Sequence, residues 1–109
     1  SQAVITGDTV YVSGQGPFDP ESGEIVGETI EEETQQTLTN IESILEAAGA
    51  SIDKTVKTTV YLADIDDYVV VNEVYGKYMS KPYPARAAIE VGEFPIDVHV
   101  EIDAIAELR

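Results

Sequence analysis

The run "VHVEIDAIAEL", Val98 to Leu108, alternates with a period of two: Val98, Val100, Ile102, Ala104 and Ala106 fall on one face, and His99, Glu101 and Asp103 on the other. Successive side chains of a strand point to opposite sides, so this pattern suits an extended segment with one buried face and excludes a helix of any length there. A lone strand cannot bury that face. The chain must therefore build a sheet and cover one side of it.

The rest of the sequence supplies the partners. "VITGDTVYVSG" holds two β-rich runs, Val4 to Thr6 and Thr9 to Ser13, joined through Gly7 and Asp8, residues that tolerate the positive φ of a tight hairpin turn. Gly14, Gly16, Pro17, Pro20 and Gly23 then mark a loop ahead of a short strand at Glu24 to Val26. That glycine-rich loop lacks the lysine of a phosphate-binding loop and does not open into a helix, so it reads as turns. From Thr29 the period becomes helical, with Ile30, Leu38, Ile41, Leu45 and Ala48 on one face and Gly49 placed to end it. Thr29 and Glu32 fit a capping box, and Glu31, Glu32 and Glu33 read as a solvated helix start that the helix dipole favours. Metal binding by these adjacent glutamates carries little weight, because neighbours on a helix point in different directions.

"KTVKTTVYLAD" alternates again, with Val56, Thr58, Val60 and Leu62 expected on the buried side and Lys57, Thr59 and Tyr61 on the other. "DDYVVVNEVYGKYM" is ambiguous. Its valines favour a strand, but Val71, Val74, Tyr75 and Tyr78 have helical spacing, and a helix is expected from about Asp67. Strands from Ala85 to Val91 and from Val98 to Leu108 complete an α+β chain: one six-stranded mixed sheet with two helices packed on one face. The 109 residues, 43% hydrophobic, suffice for a single domain over residues 1–109. The uncovered sheet face would expose apolar side chains, and association into a closed ring with sheets inward would cover them.

Charge and composition exclude several functions. With 6 basic residues against 21 acidic ones and a net charge of -15, the chain lacks the clustered cations that nucleic acid or an anionic membrane surface requires. The same acidity suits a protein that stays hydrated at high salt. The absence of Cys removes thiolate nucleophiles, disulfides and Cys-type zinc sites, and the lone His99 cannot build a His-rich metal site. No apolar run approaches bilayer length and no leader pattern is visible, so a soluble, cytoplasmic protein is expected.

Against this background Arg86 in "KPYPARAAIEV" needs an explanation. The strand period places Ala87, Ile89 and Val91 on one face and Arg86, Ala88 and Glu90 on the other; if the first set meets the helices, Arg86 lies on the opposite side, at a subunit interface. Two readings stay open from the pattern. One is an interface salt bridge with one of the many carboxylates; the other is a clamp for a small carboxylate ligand, with Ala87 and Ala88 leaving room. Glu101 can order a water or exchange a proton, or it can be an exposed strand charge. His99 reads as a surface residue outside the site.

Six segments add a further indication: "SQAV" at the start, "VYVSGQ" at 10–15, "TLTNIESILEAAGAS" at 37–51, "VNEVYGKYM" at 71–79, "PARAAIEV" at 84–91 and "VEIDAIA" at 100–106. In this order and spacing they resemble the RidA family of reactive intermediate deaminases, also called the YjgF family. The resemblance implies a chorismate-mutase-like fold and a homotrimer with sheets facing inward and pockets between subunits. It implies hydrolysis of 2-imino acids and their enamine tautomers, such as 2-iminobutanoate and 2-aminoacrylate, to 2-keto acids and ammonia, with no cofactor or metal. By position, Arg86 would bind the substrate carboxylate and Glu101 would hold the attacking water. Asn72, Ser13 and Gly14 would shape or hydrogen-bond the pocket, and backbone groups near Gly14 and Ala88 would orient the imine. Members carry a longer N-terminal segment with a Tyr just before "SQAV" that helps close the pocket; that segment is expected to be absent ahead of Ser1. Ala88 stands where some members have Cys, and Met79 replaces a common aromatic. A non-catalytic trimer that binds small keto or imino acids, or a protein partner, is the alternative, and the combination of Arg86, Asn72 and Glu101 favours the enzyme.

Overall fold

The computed structural model describes residues 2–108, so Ser1, at the head of "SQAV", lies outside the described residues. Strands β1 (Ala3–Thr6) and β2 (Thr9–Gln15) form the opening hairpin, with Thr6 paired to Thr9 across the two-residue turn of Gly7 and Asp8. Gly7 takes φ +58, the left-handed conformation that a glycine adopts without steric cost. Helix α1 (Ile30–Ala47), strand β3 (Thr55–Leu62), helix α2 (Tyr68–Tyr78), strand β4 (Ala85–Glu90) and strand β5 (Val100–Glu107) follow.

The sheet has the order β1-β2-β5-β3-β4. Its pairs are antiparallel except β3 with β4, which run parallel. A parallel pair needs a crossover rather than a hairpin, and α2 provides it. That requirement resolves the ambiguity of the valine-rich segment in favour of helix. The alternating C-terminal run becomes β5, at the centre of the sheet, with Val100, Ile102, Ala104 and Ala106 fully buried or nearly so. Opposite them pack Leu38, Ile41 and Leu45 of α1 and Val71, Val74 and Tyr75 of α2.

Helix α1 begins as its sequence specifies. The Thr29 side chain accepts from the Glu32 amide, while Glu32 Oε1 accepts from the amides of Thr29 at 3.2 Å and Glu28 at 2.9 Å. Both bonds of the capping box are present, and they satisfy amides that the first helical turn leaves free.

Four expectations need correction. Among the described residues the sheet has five strands, not six. Ile25, in the expected strand Glu24 to Val26, makes one antiparallel bridge to Phe18. Gly23 and Gly27 take φ +75 and +103, and the segment folds back to bond with Pro17 and Asp19. Second, Val56 is 44% exposed, because the β3–β5 register shifts between Thr55 and Lys57 and the extra residue turns outward. Third, the faces of β4 are inverted relative to the sequence reading. Arg86 is in register with buried Thr58, and Ala88 with buried Val60, so both point toward the helices; Ala87 and Ile89 point to the bare side. Fourth, Glu33 is not a solvated charge. It is 5% exposed, and its carboxylate accepts from the His99 amide at 2.9 Å and lies 2.7 Å from His99 Nδ1.

The helix-free face of the sheet carries Val4, Tyr11 and Ile89, which are 55%, 46% and 47% exposed. It is the apolar uncovered surface that the sequence anticipates.

Candidate functional site

Strand β4 is an edge strand whose Arg86 side chain lies under α2. Positions i, i+4 and i+7 of a helix share a face, and α2 uses them for Tyr68, Asn72 and Tyr75. Arg86 Nη1 donates to Asn72 Oδ1 at 2.6 Å, and Nη2 donates to the Tyr68 hydroxyl at 2.6 Å. The guanidinium carbon stands 4.7 Å from the Tyr75 ring centroid and 5.4 Å from that of Tyr68, within reach of attraction to both ring faces. The Tyr75 hydroxyl is fixed in turn, 2.6 Å from Thr58 Oγ1, and burial raises its phenol pKa.

Every group that holds Arg86 is neutral, and no carboxylate of the described residues pairs with it. Of the five N–H donors of a guanidinium, two are used. The cation opens on two hollows: one of about 410 Å³, lined by Asn72, Tyr75, Gly76, Tyr83, Pro84 and Arg86, and one of about 630 Å³, where Tyr68 and Ala88 join it. Ala88 lines the second hollow, whereas Ala87 faces away.

Glu101 occupies the other face. It pairs with Tyr61 across β5 and β3 and lines a hollow of about 330 Å³ with Gly14, Tyr61, Val91, Glu93, Phe94 and Asp103. Its pKa is raised, first by burial and second by the negative charge of Asp103. Asp103 is itself held by the Thr59 amide at 3.1 Å and the Tyr61 hydroxyl at 2.9 Å, and that bond raises the Tyr61 pKa. Gly14 abuts the Glu101 carboxylate so closely that any Cβ there would run into it. Ser13 sits in the strand just before, where its hydroxyl donates to the Gln2 carbonyl at 3.2 Å; it lines none of these three hollows.

The residues singled out in the sequence thus fall into two groups. Arg86, Asn72 and Ala88 come together under α2, and Glu101 and Gly14 come together on the bare face. Within one chain the two groups are on opposite sides of the sheet. Sequence reasoning missed Tyr68, Tyr61 and Asp103, and took Tyr75 only as part of the helical spacing. The spacing of Tyr68, Asn72 and Tyr75 along one helix face was the signal available. His99 lies outside both groups, bonded to Glu33, which raises its pKa. Among the described residues no three His, Cys, Asp or Glu side chains converge as metal ligands, and no helix is long and apolar enough to cross a membrane.

The family model described as Endoribonuclease L-PSP matches residues 1–108. A RutC family protein of Pyrococcus abyssi is 50% identical over 106 residues, covering 97% of this chain and 84% of its own length. A 2-iminobutanoate/2-iminopropanoate deaminase of Bos taurus is also 50% identical over 106 residues, with 97% of this chain and 77% of the bovine protein covered. Among solved structures, RidA from an Antarctic Psychrobacter superimposes with a TM-score of 0.93 at 46% identity, covering 97% of this chain and 85% of that one. The chain belongs to this family, the YjgF/RidA family.

Proposed function

We propose that this protein hydrolyses 2-imino acids, such as 2-iminobutanoate and the imine tautomer of 2-aminoacrylate, to 2-keto acids and ammonia. The observation that carries the reading is the Arg86 guanidinium, held in place by neutral groups, without a carboxylate partner among the described residues, beside an open hollow. A small carboxylate is the ligand that such a planar cation recognises best. The deaminase name of the 50% identical bovine relative supports the same chemistry.

Hydrolysis of an iminium needs a positioned water and a proton acceptor, and Glu101 is suited to both. Water oxygen adds to C2 while its proton passes to the Glu101 carboxylate, giving a carbinolamine. That proton then goes to the amine nitrogen, the C–N bond breaks, ammonia leaves, and loss of the hydroxyl proton yields the ketone. No electrons change hands, so no redox partner enters the balance.

Arg86 and Glu101 occupy opposite faces of the sheet, so a single chain does not bring both to one substrate. The reading therefore includes a homotrimer with the bare faces inward, in which the Glu101 hollow of one subunit meets the Arg86 hollow of the next. Burial of Val4, Tyr11 and Ile89 would favour that assembly. The same separation supports a second reading. If the copies assemble without uniting the two hollows, the protein binds small keto or imino acids and does not hydrolyse them. Cleavage of RNA, which the family description names, is disfavoured by the net charge of -15.

The test generates imines in situ with a dehydratase acting on threonine or serine, traps surviving imine with semicarbazide, and follows keto acid release. Wild type should accelerate release and Arg86→Ala should not, with both remaining trimeric. Binding of 2-oxobutanoate without acceleration would select the second reading.

A further inference from the structure

The carboxylate anchor proposed for Arg86 leaves one neighbouring group unexplained, and the inference here rests on that anchor. Tyr68 opens α2 and its hydroxyl oxygen accepts from Arg86 Nη2 at 2.6 Å. A phenol that accepts through a lone pair keeps its own proton to donate. Among the described residues nothing receives that proton. The ring lines the larger hollow beside Arg86 and Ala88, so the O–H and the unused guanidinium N–H groups share one open space.

We propose that Tyr68 is a second donor of the ligand site: its hydroxyl donates to one carboxylate oxygen while Arg86 donates to the other. Two donors, one charged and one neutral, match the two acceptor oxygens of a carboxylate. A primary amide presents one acceptor and one donor to the same pair, and its N–H group meets a donor instead of an acceptor. Tyr68 therefore sets selectivity for carboxylates over neutral analogues of the same shape, beyond the charge preference that Arg86 alone supplies. The contact also explains why a polar aromatic stands at this helix start: the ring covers the guanidinium and the hydroxyl completes the clamp.

Calorimetric titration with 2-oxobutanoate and with 2-oxobutanamide tests the assignment on wild type, Tyr68→Phe, Tyr78→Phe and Arg86→Ala. Tyr68→Phe keeps the ring over Arg86 and removes only the hydroxyl. The expected result is about tenfold weaker binding of the carboxylate and little change for the amide, in keeping with loss of one hydrogen bond to a charged group. In the imine assay KM should rise by a similar factor while kcat holds. Tyr78→Phe, which removes a hydroxyl bonded to Thr39 at the far end of α2, should match wild type in both titrations. If Tyr68→Phe retains wild-type affinity and selectivity while Arg86→Ala loses binding, the Tyr68 assignment falls and the Arg86 anchor stands. Equal weakening of both ligands would make Tyr68 a merely structural residue and also overturns the assignment. If wild type itself prefers neither ligand and hydrolyses no imine, the anchor and the second donor fall together.

Discussion

The surroundings of Arg86 and of Glu101 differ in how they treat charge. Under α2, a cation is surrounded by an amide oxygen, a hydroxyl and two aromatic faces, with N–H donors left over. On the bare face, a carboxylate sits beside a second carboxylate and partly out of water, which pushes Glu101 toward its neutral form. On the proposed reading, the first environment receives an anion and the second exchanges a proton. In that reading neither is a complete site for an imino acid, and the contrast is what makes the proposed subunit-bridging arrangement chemically sensible.

Breaking the cation half should have the largest effect. Arg86→Ala is expected to lower kcat/KM by on the order of a thousandfold, since the charge and its hydrogen bonding to the carboxylate are lost together. Arg86→Lys should recover little of this, because an ammonium cannot reproduce the planar fork. Circular dichroism matching wild type would separate this loss from misfolding.

The arrangement of the halves is tested next. Arg86→Ala and Glu101→Gln chains, each inactive alone, should regain roughly a quarter of wild-type activity when unfolded and refolded together in equal amounts, because each mixed trimer contains one intact interface. No recovery from mixtures that demonstrably exchange subunits would place both residues of each site in one chain, contrary to the topology. Gly14→Ala should lower kcat about tenfold or more by pushing the Glu101 carboxylate aside, while affinity for 2-oxobutanoate changes less.

Smaller effects appear on the pH axis. The acid limb of kcat/KM should lie above the ordinary glutamate value of 4.5, with activity lost as pH falls through the raised Glu101 pKa. Asp103→Asn should move that limb only part of the way down, since burial is the larger cause. The smallest change concerns His99, which faces Glu33, Asp97 and Asp67. Its pKa is raised in the folded state, so the pair's contribution to stability is complete below about 6.5 and is lost as pH rises through the folded value. The half-exposed ring makes this modest. Melting temperatures of wild type and His99→Asn should therefore diverge slightly at pH 5.5 and converge toward pH 9. A constant gap would leave the charge without a role.

The sequence specified best those features that depend on neighbours in the chain. The Thr29 and Glu32 cap, the Gly7–Asp8 turn, the end of α1 before Gly49 and the alternation in β5 need only local rules, and all are present. The orientation of β4 was not readable, because Ala85, Ala87 and Ala88 give its two faces too little contrast. It is decided by parallel pairing with β3 and by the tyrosines of α2. The Val56 bulge leaves no mark in a run of alternating residues. Glu33 looked solvated within its acidic cluster because its partner is 66 residues away. Arg86, Asn72 and Glu101 were recognised by motif, but their division between two faces follows only from the three-dimensional register.

The crossover through α2 has an implication for how such a protein can change. Tyr68, Asn72, Tyr75 and Arg86 all belong to one continuous stretch ending on a sheet edge, where a strand has a free side and neighbours can shift. Glu101 is on the central strand, bonded to β2 on one side and β3 on the other. On the proposed reading, substitutions that reshape the ligand end can accumulate in a single peripheral module, whereas the proton-handling end can move only if most of the sheet moves with it. New substrates are thus more accessible to this architecture than new chemistry.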